Sequence, residues 1–367
     1  MARLELDGVC KGFDRPILDR LSLTVEEGEF FVIVGPSGIG KTTLLRCIAG
    51  LEVLDAGRVV IGGKDVTGVP PYRRNVAMTF ESYALYPHLT VFENIASPLR
   101  ARKMPQAEID AAVTAAAKLL RIDQLLQRRP HEVSGGQKQR TALGRTLVAK
   151  PDVFLLDEPI SHLDAKIRHE LRRQFHHLEE LRSVATVYVT HDYAEALSLG
   201  DRIGVMGHGG LDQVGTARDV FLKPSTLFVA RHLGQPSINE IRCRLSTEHG
   251  HLRAVATAGN FSFPISGPHA AALNGGKFAE VTVGIRPQHA GIDAAGVSGT
   301  AFIADAKVEI FEALGATGVL IADAGGVSLT ALTSPNAHFA PGQPVKLVLA
   351  VDQFLYFDPE QGRNLHA

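Results

Sequence analysis

The run Phe30-Phe31-Val32-Ile33-Val34 passes directly into Gly35-Pro36-Ser37-Gly38-Ile39-Gly40-Lys41-Thr42 and then into a helical stretch, Thr43 to Ala49. A strand, a glycine-rich loop and a helix in that order leave few folds open. In such a loop the glycines let backbone N–H groups wrap a β-phosphate, Lys41 neutralises β- and γ-oxygens, and Thr42 offers its hydroxyl to Mg²⁺. Two more short apolar runs, Val153 to Leu156 and Ala185 to Thr190, are rich in β-branched residues and also end in polar ones. Strands that are apolar throughout belong to parallel sheets covered on both faces, and ligands bind beyond their carboxyl ends. Strand-like and helical runs alternate up to about residue 235, which predicts an α/β layer structure with a mainly parallel sheet.

Asp157 and Glu158 end the second strand and place two carboxylates at the predicted ligand edge. Asp157 suits Mg²⁺ through water, and Glu158 is the candidate base for an attacking water. His191 ends the third strand and is followed by Asp192. Ser134-Gly135-Gly136-Gln137 opens a predicted helix running on through Lys138 to Lys150, with Ser134 as N-cap. Its glycine-rich first turn presents free N–H groups and the positive dipole end, an anion receptor. A helical insert at about 85–145, including Pro105 to Ile122, separates this segment from the phosphate loop. After Glu158, the stripe Leu163, Ile167, Leu171, Phe175 and Leu178 predicts a long helix whose buried face is core.

The length of 367 residues suits two domains. The pattern breaks at Arg231 to Ser237, giving expected domains of 1–235 and 236–367. Beyond the break, short strands at Ile241–Ser246, Leu252–Ala256, Phe261–Ile265, Glu280–Ile285, Ala304–Phe311, Gly318–Ala322, Val327–Ala331 and Val345–Ala350 suit a small β-barrel. A net charge of -1, with no basic run, gives no electrostatic footprint for nucleic acid. The longest apolar runs fall far below the roughly 18 residues of a membrane-spanning helix. The start, Met-Ala-Arg-Leu-Glu-Leu-Asp, lacks a signal peptide's features, and Cys10, Cys47 and Cys243 have no paired or metal-ligand spacing, so a reducing cytosol is expected.

Together the phosphate loop, Ser134 to Gln137 and Val153 to Glu158 resemble the ATP-binding subunits of ABC transporters. The resemblance implies an ABC-type ATPase domain of the P-loop class. Gly35 to Thr43 would bind ATP, and the signature Ser134, Gly135, Gly136 and Gln137 would act in trans on ATP held by a second ATPase subunit. It implies a γ-phosphate contact for His191 and a dimer-interface loop at Ser161-His162-Leu163-Asp164, in which His162 is less usual. Phe13 stands where family members stack an aromatic on adenine, although a core role is equally open from its surroundings in sequence. Phe80 to Ile95 is similar to the loop by which importer ATPases meet their permease. The usual glutamine of that loop is here Glu81, so the metal set becomes Thr42, Glu81 and Asp157. A glutamine both accepts and donates, whereas an ionised glutamate only accepts. Slower hydrolysis, or pairing with a glutamine-bearing partner, is the expectation.

Val283-Gly284-Ile285-Arg286-Pro287-Gln288-His289, Glu312-Ala313-Leu314-Gly315 and Phe357-Asp358 resemble the C-terminal all-β, oligonucleotide-fold-like (TOBE/MalK-type) regulatory domain of sugar-importer ATPases. The family then implies ATP and Mg²⁺ as cofactors. As partners it implies a homodimer or heterodimer, permease subunits and, indirectly, an extracytoplasmic solute-binding protein. It also implies a peripheral place on the cytoplasmic face of the inner membrane. A sugar, polyol or glycerol phosphate is the expected solute. A polyamine or iron importer, a low-turnover partner and a soluble non-transport ABC ATPase stay open.

Overall fold

The computed structural model describes residues 3–249, 251–259, 261–265, 267–273, 278–292 and 301–365. Of the N-terminal start read above, Met1 and Ala2 lie outside them. The chain divides into two compact units, Met1–Arg218 and Asp219–Ala367.

The first unit begins with the antiparallel pair β1 (Leu4–Gly12) and β2 (Pro16–Val25), followed by β3 (Phe30–Val34) and α1 (Lys41–Ala49). Next come β4 (Ala56–Ile61), the short β5 (Lys64–Asp65) and β6 (Val76–Thr79). The helical insert supplies α2 (Val91–Ala101), α3 (Gln106–Leu119) and α4 (Gly135–Leu147). The chain then returns through β7 (Val153–Asp157), α5 (Ala165–Phe175), α6 (Glu179–Arg182), β8 (Ala185–Thr190), α7 (Tyr193–Leu199), β9 (Arg202–Met206) and β10 (Leu211–Gly215).

Six strands form the central sheet in the order β10-β9-β3-β8-β7-β6, and β1, β2, β4 and β5 form a second, antiparallel sheet. In the central sheet β3 pairs parallel with both β8 and β9, and β7 pairs parallel with β8 and β6. Every residue of β3, β7 and β8 is buried, as strands covered on both faces require. Phe31, Ile33, Leu155 and Val189 share one core with Leu4, Leu6 and Leu23 of the second sheet and Leu44 and Ile48 of α1. Fully burying such side chains stabilises the fold by about 1.5–3 kcal/mol each. Because β3, β8 and β7 are neighbours running the same way, the loops after all three open on one edge.

Two local expectations are corrected. The helix after Glu158 is not long: α5 ends at Phe175, and Leu178, read as its last core position, instead precedes the separate turn α6. Pro105 is the N-cap of α3 rather than a residue of its first turn, with an extended backbone (ψ 143) suited to its fixed φ.

The helix α8 (Ala217–Leu222) carries the chain across the division between the units. The second unit begins before the sequence break at 235: in α9 (Leu227–His232), Ala230 packs with Ile238 and Phe357. Its strands are β11 (Asn239–Glu248), β12 (His251–Ala256), β13 (Ser262–Pro264), β14 (Glu280–Ile285), β15 (Ala290–Gly291), β16 (Ala301–Ala313), β17 (Gly318–Asp323), β18 (Ser328–Thr333), β19 (Pro344–Ala350) and β20 (Leu355–Phe357). They form two five-stranded sheets, β13-β12-β11-β14-β20 and β15-β19-β16-β17-β18, around one core that includes Ile241, Phe263, Val283, Leu320, Leu347 and Phe354. Besides α9, the short helix α10 (Gly267–Leu273) interrupts this barrel-like, otherwise β-rich unit.

Candidate nucleotide site

The loop after β3 has a shape that only glycine permits at two positions. A Cβ at Gly35 would lie 2.6 Å from the Met206 carbonyl oxygen, and Gly40, at φ 117, would place one 2.7 Å from Ile17 Cγ2. The loop leads into the N-terminus of α1, where Gly40 caps without a side chain and leaves the first N–H groups free for an anion. Lys41 is buried and folds back on the loop, donating from Nζ to the carbonyls of Gly35 (2.8 Å) and Pro36 (2.9 Å). Burial lowers its pKa, and the carboxylates of Glu158, Asp157 and Glu81 oppose that shift.

Asp157 is 2 % exposed. Its backbone N–H donates to Thr79 Oγ1 (2.8 Å), and its Oδ1 accepts from Thr42 Oγ1 (3.2 Å), which joins the end of β7 to the start of α1. Oδ2 is buried with no partner. Burial pushes the carboxyl up to about 6; Glu158 and Glu81 add to the rise, while the Thr42 bond and Lys41 resist it. A buried, unpartnered carboxylate oxygen beside a threonine hydroxyl is a donor set that suits Mg²⁺. Among the described residues no three His, Cys, Asp or Glu side chains form a metal cage.

Glu158 and His191 meet side chain to side chain, Oε1 to Nδ1 at 2.9 Å. Glu158 holds a left-handed backbone (φ 43) immediately before Pro159, although residues before proline favour extended conformations. Strain of this kind costs on the order of 1–3 kcal/mol and concentrates at functional sites. Below His191, Tyr188 and Thr190 hydroxyls both donate to the buried Glu195 carboxylate (2.8 and 2.9 Å), fixing the strand end. Asp192 caps α7 by accepting from Ala194 and Glu195 N–H groups.

Phe13 is 62 % exposed, so it is not core. Lys11 Nζ lies 5.0 Å from its ring centroid, and the pair helps line an open cavity of about 660 Å³. A second cavity, of about 500 Å³, is lined by Pro36, Ser37, Gly38 and Ile39 together with Arg15 and His208. Both are in the size range of small-molecule sites.

Ser134 closes a reciprocal cap: its Oγ accepts from Gln137 N–H (3.3 Å), and Gln137 Oε1 accepts from Ser134 N–H (2.8 Å). Gly135 and Gly136 form the first turn of α4. Asp164 caps α5 by accepting from Ile167 N–H (3.0 Å).

Three supporting residues escaped the sequence reading. Thr79 holds the Asp157 backbone as described. Arg145, on α4, donates to the carbonyls of Ala84 (2.7 Å) and Tyr83 (2.9 Å) and pins the loop bearing Glu81. Gln139, buried on the same helix, contacts Glu158 and His162. Each acts through partners distant in sequence, so no local pattern marks it.

A glycine loop at a helix N-terminus, a buried lysine and two carboxylates at the carboxyl edge of a parallel sheet define a phosphate-loop nucleotide-binding protein. The description "ABC transporter" belongs to the family model that matches residues 18–161. The chain is 41% identical over 367 residues to the sn-glycerol-3-phosphate import ATP-binding protein UgpC of Burkholderia thailandensis, covering 99% of each chain. It is 42% identical to the trehalose/maltose import ATP-binding protein MalK of Thermococcus litoralis, covering 100% of both. Among solved structures it is similar to the dimeric ABC transporter cassette MJ0796, with 29% identity and a TM-score of 0.55 over 59% of this chain and 99% of that one. It is also similar to the same cassette in a post-hydrolysis state bound to ADP and Pi, with a TM-score of 0.54. The chain belongs to the family of ABC transporter ATP-binding proteins, which are ATPases coupled to transport. No helix among the described residues is long and apolar enough to cross a membrane.

Proposed function

We propose that this chain is the ATPase of an importer for a sugar, a polyol or glycerol phosphate. The observation that carries the ATPase reading is the meeting of Lys41, Thr42, Asp157, Glu158 and His191 at the ends of three adjacent parallel strands. The solute class rests on relatives named for glycerol-3-phosphate and for trehalose/maltose import, similar along their whole lengths.

In this reading Phe13 stacks on adenine, and Gly35 to Thr43 wrap the phosphates by backbone N–H groups. Lys41 leaves the loop carbonyls for the β- and γ-oxygens. Thr42, Asp157 and Glu81 would hold Mg²⁺, which would supply charge neutralisation to the phosphates. Glu158 orients and accepts a proton from the attacking water, and His191 contacts the γ-phosphate. Ser134, Gly135, Gly136 and Gln137 complete the site on a second ATPase subunit, with Asp164 at the interface. That subunit is another copy of this chain or a glutamine-bearing one. The loop around Glu81 meets the permease at the cytoplasmic face of the inner membrane, and a separate extracytoplasmic protein delivers solute. The first unit, Met1–Arg218, would carry catalysis and the second, Asp219–Ala367, regulation.

Glu81 favours a slow half-site, because a carboxylate accepts but does not donate, unlike the glutamine amide it replaces, and adds negative charge near the γ-phosphate.

The test is ATPase activity of the chain purified with its permease and solute-binding protein, challenged in turn with glycerol phosphate, maltose, a polyamine and ferric iron. Stimulation by one of the first two is expected. Stimulation by polyamine or iron alone would replace the solute class and leave the ATPase intact.

A further inference from the structure

The Glu158 carbonyl is held from three directions. Ser161 donates from its hydroxyl (3.1 Å) and its N–H (3.4 Å), and both donors belong to the same turn. The third donor is Gln139 Nε2 (2.9 Å), which comes from α4, the helix opened by Ser134. Gln139 is 4 % exposed, and its Oε1 accepts from His162 N–H (3.2 Å). These two bonds fix the amide orientation, since exchanging N and O would break both. The His162 ring continues the chain: its Nδ1 lies 3.3 Å from Tyr83 Oη, and the two rings pack edge-on at 6.2 Å. Tyr83 has a left-handed backbone (φ 65), and its carbonyl is pinned by Arg145, also of α4. An unbroken series of bonds therefore joins the strained Glu158 backbone to the loop Phe80 to His88.

We propose that Gln139 is a positioning residue that holds Glu158 in its left-handed conformation and, through His162, couples it to Tyr83. The proposal rests on the reading of Glu158 as the base. Ser161 cannot set that geometry alone, because it moves with the turn it would have to restrain. Gln139 ties the turn to α4, so a shift of Tyr83 or of α4 displaces the carboxylate while leaving the phosphate loop in place. Displacements of about 1 Å at a reacting group cost roughly a hundredfold in rate.

The experiment is steady-state ATP hydrolysis and nucleotide affinity of the full-length chain in its assembled complex. Gln139→Met should lower kcat roughly a hundredfold while KM for ATP stays within about twofold, the pattern of lost positioning rather than lost binding. His162→Ala and Tyr83→Phe should each lower kcat about fivefold, the equivalent of one ordinary hydrogen bond, and neither should lower it further in the Gln139→Met background. Should Gln139→Met not fold, the Tyr83→Phe and His162→Ala pair decides: non-additive losses support the link and additive losses overturn it. Hydrolysis by Gln139→Met within about twofold of the unsubstituted chain, or kcat and affinity falling in parallel, would also overturn it. Glu158→Gln separates the two readings. If it hydrolyses normally, the base assignment fails and the proposal with it; if it is inactive while Gln139→Met is active, only the proposal falls.

Discussion

Thr42 Oγ1 donates to Asp157 Oδ1 across 3.2 Å, so the residue after the phosphate-loop lysine is bonded to the last residue of β7. The other carboxylate oxygen is buried and unpartnered. A carboxylate so placed costs stability in the empty protein and is retained for what it binds.

Asp157→Asn should therefore stabilise the nucleotide-free, magnesium-free protein at pH 7.5 by about 2 kcal/mol, while abolishing magnesium-dependent hydrolysis. The carboxyl is pushed up to about 6 by burial, so between its unfolded value near 3.8 and 6 the folded protein holds the proton more tightly than the unfolded chain. This group's contribution to stability rises as pH falls through 6 and is lost as pH rises above it. Thermal unfolding of both proteins from pH 8 to pH 4.5 checks this: the advantage of Asp157→Asn should shrink towards acid.

Phe13→Ala should weaken ATP affinity about fivefold, as expected for losing one aromatic stack, with kcat at saturating ATP unchanged. A fluorescent ATP analogue reads the affinity, and a GTP competition series checks that the loss is confined to the base.

Glu81→Gln should raise turnover about fivefold, corresponding to about 1 kcal/mol removed by relieving one repulsive charge near the γ-phosphate. An unchanged rate in the transport-coupled complex would dispose of the slow-site reading.

If, as proposed, Ser134 serves the neighbouring subunit's nucleotide, Ser134→Arg should leave ATP bound to the chain with affinity altered by less than about threefold, yet stop turnover. Equilibrium binding beside steady-state hydrolysis distinguishes this from a site complete within one chain, where both would fall together.

The strands that build the site were legible because β3, β7 and β8 are covered on both faces, which writes them as unbroken apolar runs. Ser134 was legible as a cap because a serine at the head of a helical run is a local N-cap signal, whereas its reciprocal bond with Gln137 was not read from the sequence. The end of α5 was not. Leu178 keeps the helical spacing of Leu171 and Phe175, and periodicity alone does not show that the chain turns after Phe175. Gln139 and Arg145 read as ordinary polar positions of a helix. Their partners lie across the fold, and only the packing of α4 against two loops reveals them.

The most direct measurement is ATP hydrolysis by the assembled complex carrying Glu158→Gln. ATP is expected still to bind with affinity within about threefold while turnover falls at least about a hundredfold, with solute uptake lost in parallel. Undiminished turnover and uptake would contradict this and would leave a partner subunit as the source of hydrolysis.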